Sequence, residues 1–152
     1  MNKGLKNTFI DNILKNKIPN FKGVNILKSK FNNQAFSTVI NVEGHFVAII
    51  SNKKYIYYYD PIGLPPMDSQ ILTFLKNDPR SLIINKVAHQ HPLSIYCGFY
   101  VMNFIMSIYY KKGIPSFSKN NLWKNDRIVV DRLVNLLNKC NTNQLRKYMY
   151  NQ

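Results

Sequence analysis

Four residues that could together break an amide bond occur in this order along the chain: His45, Asp60, Gln90 and Cys97. A thiol attacks a carbonyl as its thiolate. It needs a base to take its proton, a group to orient that base, and donors for the oxyanion that forms. Cys97 follows a polar, proline-containing stretch and precedes Gly98 and an apolar run to about residue 110. This predicts a thiol on the first turn of a buried helix, where unpaired N–H groups and the helix dipole favour a thiolate. His45 directly follows Gly44, and Asp60 directly precedes Pro61. If both sit at ends of neighbouring strands, a hairpin turns a separation of 15 residues into a contact. Asp60 would then accept from Nδ1 of His45 and leave Nε2 facing the thiol. Gln90 precedes Cys97 in a loop that must fold back over the helix start. Its side-chain amide could pair with the Cys97 backbone N–H as an oxyanion hole. Gly98, lacking bulk, would let a substrate backbone approach the sulfur.

Each residue also has an ordinary role available to it. A single cysteine on an apolar helix is usually a small buried hydrophobe. A histidine at a strand start can be a hydrogen-bonded surface residue, and Asp-Pro commonly opens turns. His89-Gln90-His91 invites a metal site, but a second cysteine or a carboxylate at ligand spacing is missing, so none is expected.

The elements that must position these residues read as α+β. Phe9, Ile10, Ile13 and Leu14 lie at helical spacing after Asn7 or Thr8 as cap, and Pro19 ends that helix. Residues 36–42, 45–50 and 55–59 are rich in β-branched and aromatic side chains and predict an antiparallel meander. Residues 61–69 hold three prolines and a glycine and cannot be regular. Asp68 or Ser69 can cap a helix whose face is Ile71, Leu72, Phe74 and Leu75, and residues 82–88 form a further strand. The central helix is apolar around most of its circumference, as buried helices are, and Gly113 and Pro115 end it. A last helix is expected over about 126–139, with a short basic one after Asn141 or Thr142. The sum is a small, mostly antiparallel sheet packed against a central buried helix.

At 152 residues with 45% hydrophobic content, the chain reads as one domain, 1–152, with a core of its own. Its apolar run is too short and interrupted to span a bilayer, and the N-terminus shows no secretory signal, so no membrane partner is expected. Two cysteines make no disulfide framework and suggest a reducing compartment. The net charge of +14 is uneven: seven Lys/Arg against one acid in residues 1–30, five against four in 31–110, nine against two in 111–152. Basic flanks around a near-neutral centre predict salt-dependent, non-specific attraction to a polyanion such as a nucleic acid.

The ordered runs GHFVAI, YYYDPIG and QHPLSIYCGFYVMNF resemble the adenovirus maturation proteases, the adenain-like branch of the Ulp1-like cysteine proteases. The resemblance covers roughly residues 21–110. It implies a papain-like fold with Cys97 as nucleophile, His45 as general base, Asp60 as the acid orienting it, and Gln90 in the oxyanion hole. Six residues separate Gln90 from Cys97, the spacing of the adenoviral branch, and Ser94 matches a serine of that branch. The deconjugases of ubiquitin-like modifiers typically have five. Asp60 stands where adenoviral enzymes carry glutamate, and Phe46 where both branches carry tryptophan. The chain is also shorter than the adenoviral enzymes, which suggests a smaller or divergent DNA virus or virus-like element.

The resemblance implies a monomeric thiol endopeptidase that matures capsid or core precursors, in the virion and at the intracellular site of viral assembly. It needs no cofactor for chemistry. DNA and a viral peptide are the expected activators. In adenoviral enzymes the peptide attaches through a disulfide, and this chain has no cysteine upstream of Gln90 for that; Cys140 is expected to be structural or incidental. The leading alternative is a deconjugase of SUMO or ubiquitin-like proteins. Behind it stand a non-proteolytic DNA-packaging protein and an acetyltransferase on the same scaffold.

Overall fold

Three consecutive strands form the middle of the sheet, and their register is what places the site. In this computed structural model the described residues are 4–137, so Cys140 and the helix expected after Asn141 or Thr142 lie outside them. Five strands run β1 (Phe21–Val24), β2 (Ser37–Val42), β3 (His45–Ser51), β4 (Tyr55–Tyr59) and β5 (Ser81–Ile84), adjacent in that order. β2, β3 and β4 are antiparallel neighbours, as their alternating β-branched and aromatic residues predict. Glu43 and Gly44 both take positive φ, 54° and 89°, the two-residue turn whose twist suits a tight hairpin.

The expected antiparallel meander is the centre of a mixed sheet, whose two edges are parallel. β1 pairs parallel with β2, and β5 pairs parallel with β4. Parallel neighbours need a crossover, and each edge has one. A 3-10 helix (Ser29–Asn33) lies between β1 and β2, and the helix α2 (Ser69–Asn77) between β4 and β5. The last strand is also shorter than expected, since residues 85–88 leave the ladder.

Helices cover both faces. On one face, α1 (Asn7–Lys17), α3 (Cys97–Tyr109) and α4 (Leu122–Leu136) bury a core with Val39, Phe46, Ala48, Ile50 and Tyr59 of the sheet. On the other, Ile71, Phe74 and Leu75 of α2 pack with Ile40, Val47, Ile49, Ile56 and Tyr58. Asp68 caps α2, its side chain accepting from the backbone N–H groups of Gln70 and Ile71. Leu72, expected on that helix's apolar face, is exposed. α1 begins at Asn7 after Lys6 with no side-chain cap, and its buried face is Ile10, Ile13 and Leu14. α4 starts four residues before the expected Asp126, because Asn121 caps it by accepting from Lys124 N–H.

α3 is the spine of the molecule. Eleven of its 13 residues, Cys97 to Ser107, are buried, which its nearly uninterrupted apolar sequence demands. It runs beneath β3 with its N-terminus at the end of the strand where His45 stands.

Candidate active site

The β3–β4 ladder ends with Ala48 opposite Tyr59. One step further puts Asp60 opposite Val47, so that Asp60 and His45 become diagonal neighbours on the same face. The side chains meet there: His45 Nε2 lies 2.7 Å from Asp60 Oδ1. This corrects the sequence expectation, in which Asp60 would take Nδ1. With Nε2 committed to the carboxylate, Nδ1 is the ring atom left for the sulfur. Spacing along two strands reveals that the residues meet but not which edge of the ring turns inward.

Asp60 is buried, and its surroundings hold it as an acceptor. Oδ1 also accepts from the Ile62 N–H at 2.8 Å. Asn85 brackets the residue from the other side: its Oδ1 accepts from Asp60 N–H at 3.0 Å and its Nδ2 donates to Asp60 O at 2.6 Å. The amide of one side chain thus completes the pairing that the ladder stops short of making. Sequence reasoning missed Asn85, because it placed the residue inside a strand over 82–88, whereas β5 ends at Ile84 and frees the Asn85 side chain to turn back to Asp60.

Cys97 opens α3, and its sulfur sits against the start of β3. Phe46 N–H points to Sγ at 3.5 Å and Gly44 O lies 4.0 Å away. The His45 imidazole stands at this same end of β3, one residue before Phe46. Burial alone would push this imidazole down. The hydrogen bonds to Asp60 and Cys97, together with their charges, overcome burial and raise it from 6.5 to about 9. His45 is therefore held as an imidazolium beside the sulfur at neutral pH.

Gly98 has a different neighbourhood from the one expected. A Cβ there would meet Leu5 and Ile10 at 3.1 Å, within the core beneath α1. Its missing side chain lets the N-terminal segment pack against α3, and no groove for a substrate backbone is needed to account for it.

Gln90 is fully buried in the loop that returns to α3. Pro61 O, next to Asp60, accepts from both His89 N–H at 2.8 Å and Gln90 N–H at 2.9 Å, tying the loop to the end of β4. Gly63 permits this approach, since a Cβ there would lie 2.8 Å from Ala88 N. The Gln90 Nε2 donates to Ser94 O at 2.8 Å, which identifies the nitrogen end of the amide. That bond uses one of its two hydrogens. Oε1 is buried and without a hydrogen-bond partner.

His89 and His91 do not converge. His89 Nδ1 bonds to the Tyr59 hydroxyl at 2.9 Å, while His91 stacks on Trp123 with ring centroids 4.2 Å apart. Burial, with the Arg132 charge nearby, lowers His89 to about 4. Among the described residues no group of three His, Cys, Asp or Glu side chains could hold a metal ion. No described helix is long and apolar enough to cross a membrane.

A sulfur at a helix N-terminus, an imidazole at the adjoining end of β3 and a buried carboxylate bonded to that imidazole form an arrangement that can carry out nucleophilic acyl transfer. The fold is that of the Ulp1-like proteases. The SUMO protease Ulp1, solved with its catalytic cysteine oxidized to a sulfinic acid, superposes with a TM-score of 0.55 at 20% identity, over 88% of this chain and 79% of that one. The crystal structure of an ASFV protease superposes with a TM-score of 0.58 at 17% identity, over 84% of this chain and 66% of that one. The sequence itself matches no protein-family profile and no curated protein.

Proposed function

We propose that this chain is a cysteine endopeptidase with Cys97 as nucleophile, His45 as acid–base, Asp60 as its orienting acid and Gln90 as oxyanion donor. The observation that carries the reading is the His45–Asp60 bond at 2.7 Å at the end of β3 against which the Cys97 sulfur lies, 3.5 Å from Phe46 N. The thiolate attacks the scissile carbonyl carbon, and the carbonyl electrons move to oxygen. The second hydrogen of Gln90 Nε2 and the Cys97 N–H are the donors assigned to that oxyanion. As the C–N bond breaks, His45 delivers its proton from Nδ1 to the leaving amine. The imidazole then takes a proton from water, which attacks the thioester and releases the acid.

The proposed substrates are capsid or core precursors of a DNA virus, cleaved in an adenain-like manner during particle assembly, with DNA as activator. Two observations support DNA. The net charge is +14, and Tyr110 OH donates to Lys17 O at 3.3 Å, bringing the end of α1, with Lys17, beside Lys111 and Lys112. These lysines gather at the far end of α3 from Cys97, about 20 Å along a 13-residue helix. Phosphates bound there would leave the sulfur open. The second reading, a deconjugase, is favoured by the superposition on the SUMO protease Ulp1 and by Asp60 as the acid.

Wild-type and Cys97→Ala proteins should be incubated with precursors encoded alongside this chain and with SUMO or ubiquitin fusions, each with and without DNA at low salt. We expect precursor cleavage by wild type alone, accelerated by DNA. Cleavage of the fusions instead would select the deconjugase. Equal processing by Cys97→Ala would overturn both readings, and a rate indifferent to DNA would remove the activator.

A further inference from the structure

Residues 85–96, between β5 and α3, contain no helix or strand, so backbone ladders cannot hold Gln90 in place. Beyond the two backbone bonds to Pro61 O, side chains of α4 hold it. Asp126 Oδ2 accepts from the Ser94 hydroxyl at 2.8 Å. Ser94 Oγ in turn accepts from Tyr96 N–H at 3.1 Å, and Ser94 O accepts from Gln90 Nε2. The other oxygen of Asp126 accepts from the Tyr100 hydroxyl at 2.8 Å, and Tyr100 lies one turn after Cys97 on α3. A single carboxylate therefore joins the loop carrying Gln90 to the helix carrying Cys97. The neighbouring Asn125 is fully buried and donates to His89 O at 2.8 Å, immediately before Gln90. The loop is thus gripped on both sides of the glutamine by adjacent residues of one helix.

We propose that Asp126 is a positioning residue for the oxyanion hole, acting through Ser94 to hold the Gln90 amide level with the Cys97 sulfur. The inference rests on the acyl-transfer reading above and goes beyond it by assigning a function to α4. Burying a carboxyl is unfavourable unless donors meet it, and here two hydroxyls are aimed at it. Burial raises the Asp126 carboxyl above its ordinary value, while the bonds from Tyr100 and Ser94 and the His91 charge oppose that rise. The Asp126 hydrogen bonds go to Ser94 and Tyr100, not to the His45–Asp60 pair, so its removal should leave the reactivity of the sulfur intact.

Two reactions of the same sulfur separate these effects. With p-nitrophenyl acetate, the thiolate adds to the carbonyl, an oxyanion forms and collapses, and p-nitrophenolate leaves as the thioester appears. With iodoacetamide, the S–C bond forms as iodide departs from a saturated carbon, and no oxyanion arises. Loss of a single oxyanion donor costs about 100- to 1,000-fold, and a displaced donor should cost less. We expect Asp126→Ala to slow acylation of Cys97 about 10- to 100-fold while alkylation changes less than about twofold. Ser94→Ala should reproduce the effect, and the double variant should be no slower than the slower single one, because both break one chain of contacts. Should Asp126→Ala fail to fold, Ser94→Ala tests the same link from the loop side. Equal slowing of both reactions, or no effect of Ser94→Ala on acylation, overturns the positioning role. A wild-type Cys97 that is alkylated but never acylated overturns the acyl-transfer reading and the proposal with it.

Discussion

The two arms of the candidate site are built by different means. His45 and Asp60 stand where β3 and β4 run out, and the register of a regular ladder brings them within 2.7 Å. Gln90 stands in an irregular loop, held by Pro61 O and by side chains of residues far away in sequence, Asn125 and Asp126. A ladder distributes the work of positioning over many backbone bonds, so losing one contact shifts little. A loop concentrates it in a few side chains, each of which matters. Asn85 belongs to both arms, bracketing Asp60 with two hydrogen bonds and donating also to Val87 O at 3.3 Å.

The largest expected effect tests the sheet arm. Asp60→Ala removes the partner of His45 Nε2 and should lower kcat/KM by about 10³- to 10⁴-fold, the scale seen when a triad acid is lost. Asn85→Ala removes the bracket and the bond to Val87 O. The carboxylate keeps its bonds to His45 and Ile62 N–H, so the loss should be about tenfold at most. Peptide cleavage by the two variants, each checked for folding, measures the difference. If Asn85→Ala is as damaging as Asp60→Ala, the ladder does not hold the acid and the contrast between the arms fails.

Each arm also carries a histidine, and the two should respond oppositely to pH. His45 is raised to about 9, so protonation favours the folded state. Its contribution is full below 6.5 and is lost as pH rises through 9. His89 is lowered to about 4, so the folded state favours the neutral ring. Its contribution is full above 6.5 and is lost as pH falls through 4. Each departs from 6.5 far enough for about 3 kcal/mol at most, and less for His45, whose side chain is 28% exposed and screened by water. Urea unfolding across pH should show the advantage of wild type over Asp60→Asn shrinking between 6.5 and 9. Its advantage over His89→Gln should shrink between 6.5 and 4. Both differences moving in the same direction would mean that the two rings share one environment.

The contrast also governs what could be read from the sequence. The strands β2 to β4 were legible because alternating Val, Ile, Phe and Tyr encode them locally, and the His45–Asp60 contact follows from their ends. β1 was not read as a strand: Phe-Lys-Gly-Val is four residues long with a glycine inside, and its parallel pairing depends on a crossover. The same holds for the parallel pairing of β5. The ring edge that His45 presents to Asp60 is set by three-dimensional packing, which spacing does not carry. Asn85, Asn125 and Asp126 were illegible for another reason. Asn and Asp are common in turns and on helix surfaces, and only the fold shows that Asn125 is buried against His89 O.

Gly98, the residue after Cys97, supplies the smallest test. Its position beside Cys97 suggested clearance for a substrate, whereas its neighbours are Leu5 and Ile10 of the core. Adding a methyl group at 3.1 Å from both requires the N-terminal segment to shift, at about 1–3 kcal/mol for overpacking. The gain in helix propensity from Gly to Ala, about 1 kcal/mol, offsets part of this. A net loss of about 1 kcal/mol is therefore expected for Gly98→Ala in urea unfolding. Peptide kcat/KM, measured well below the unfolding transition, should stay within about twofold of wild type, since neither arm is touched. A variant of unchanged stability with sharply raised KM would return Gly98 to the substrate groove. It would also mean that a substrate reaches the sulfur across the start of α3, between the ladder and the loop.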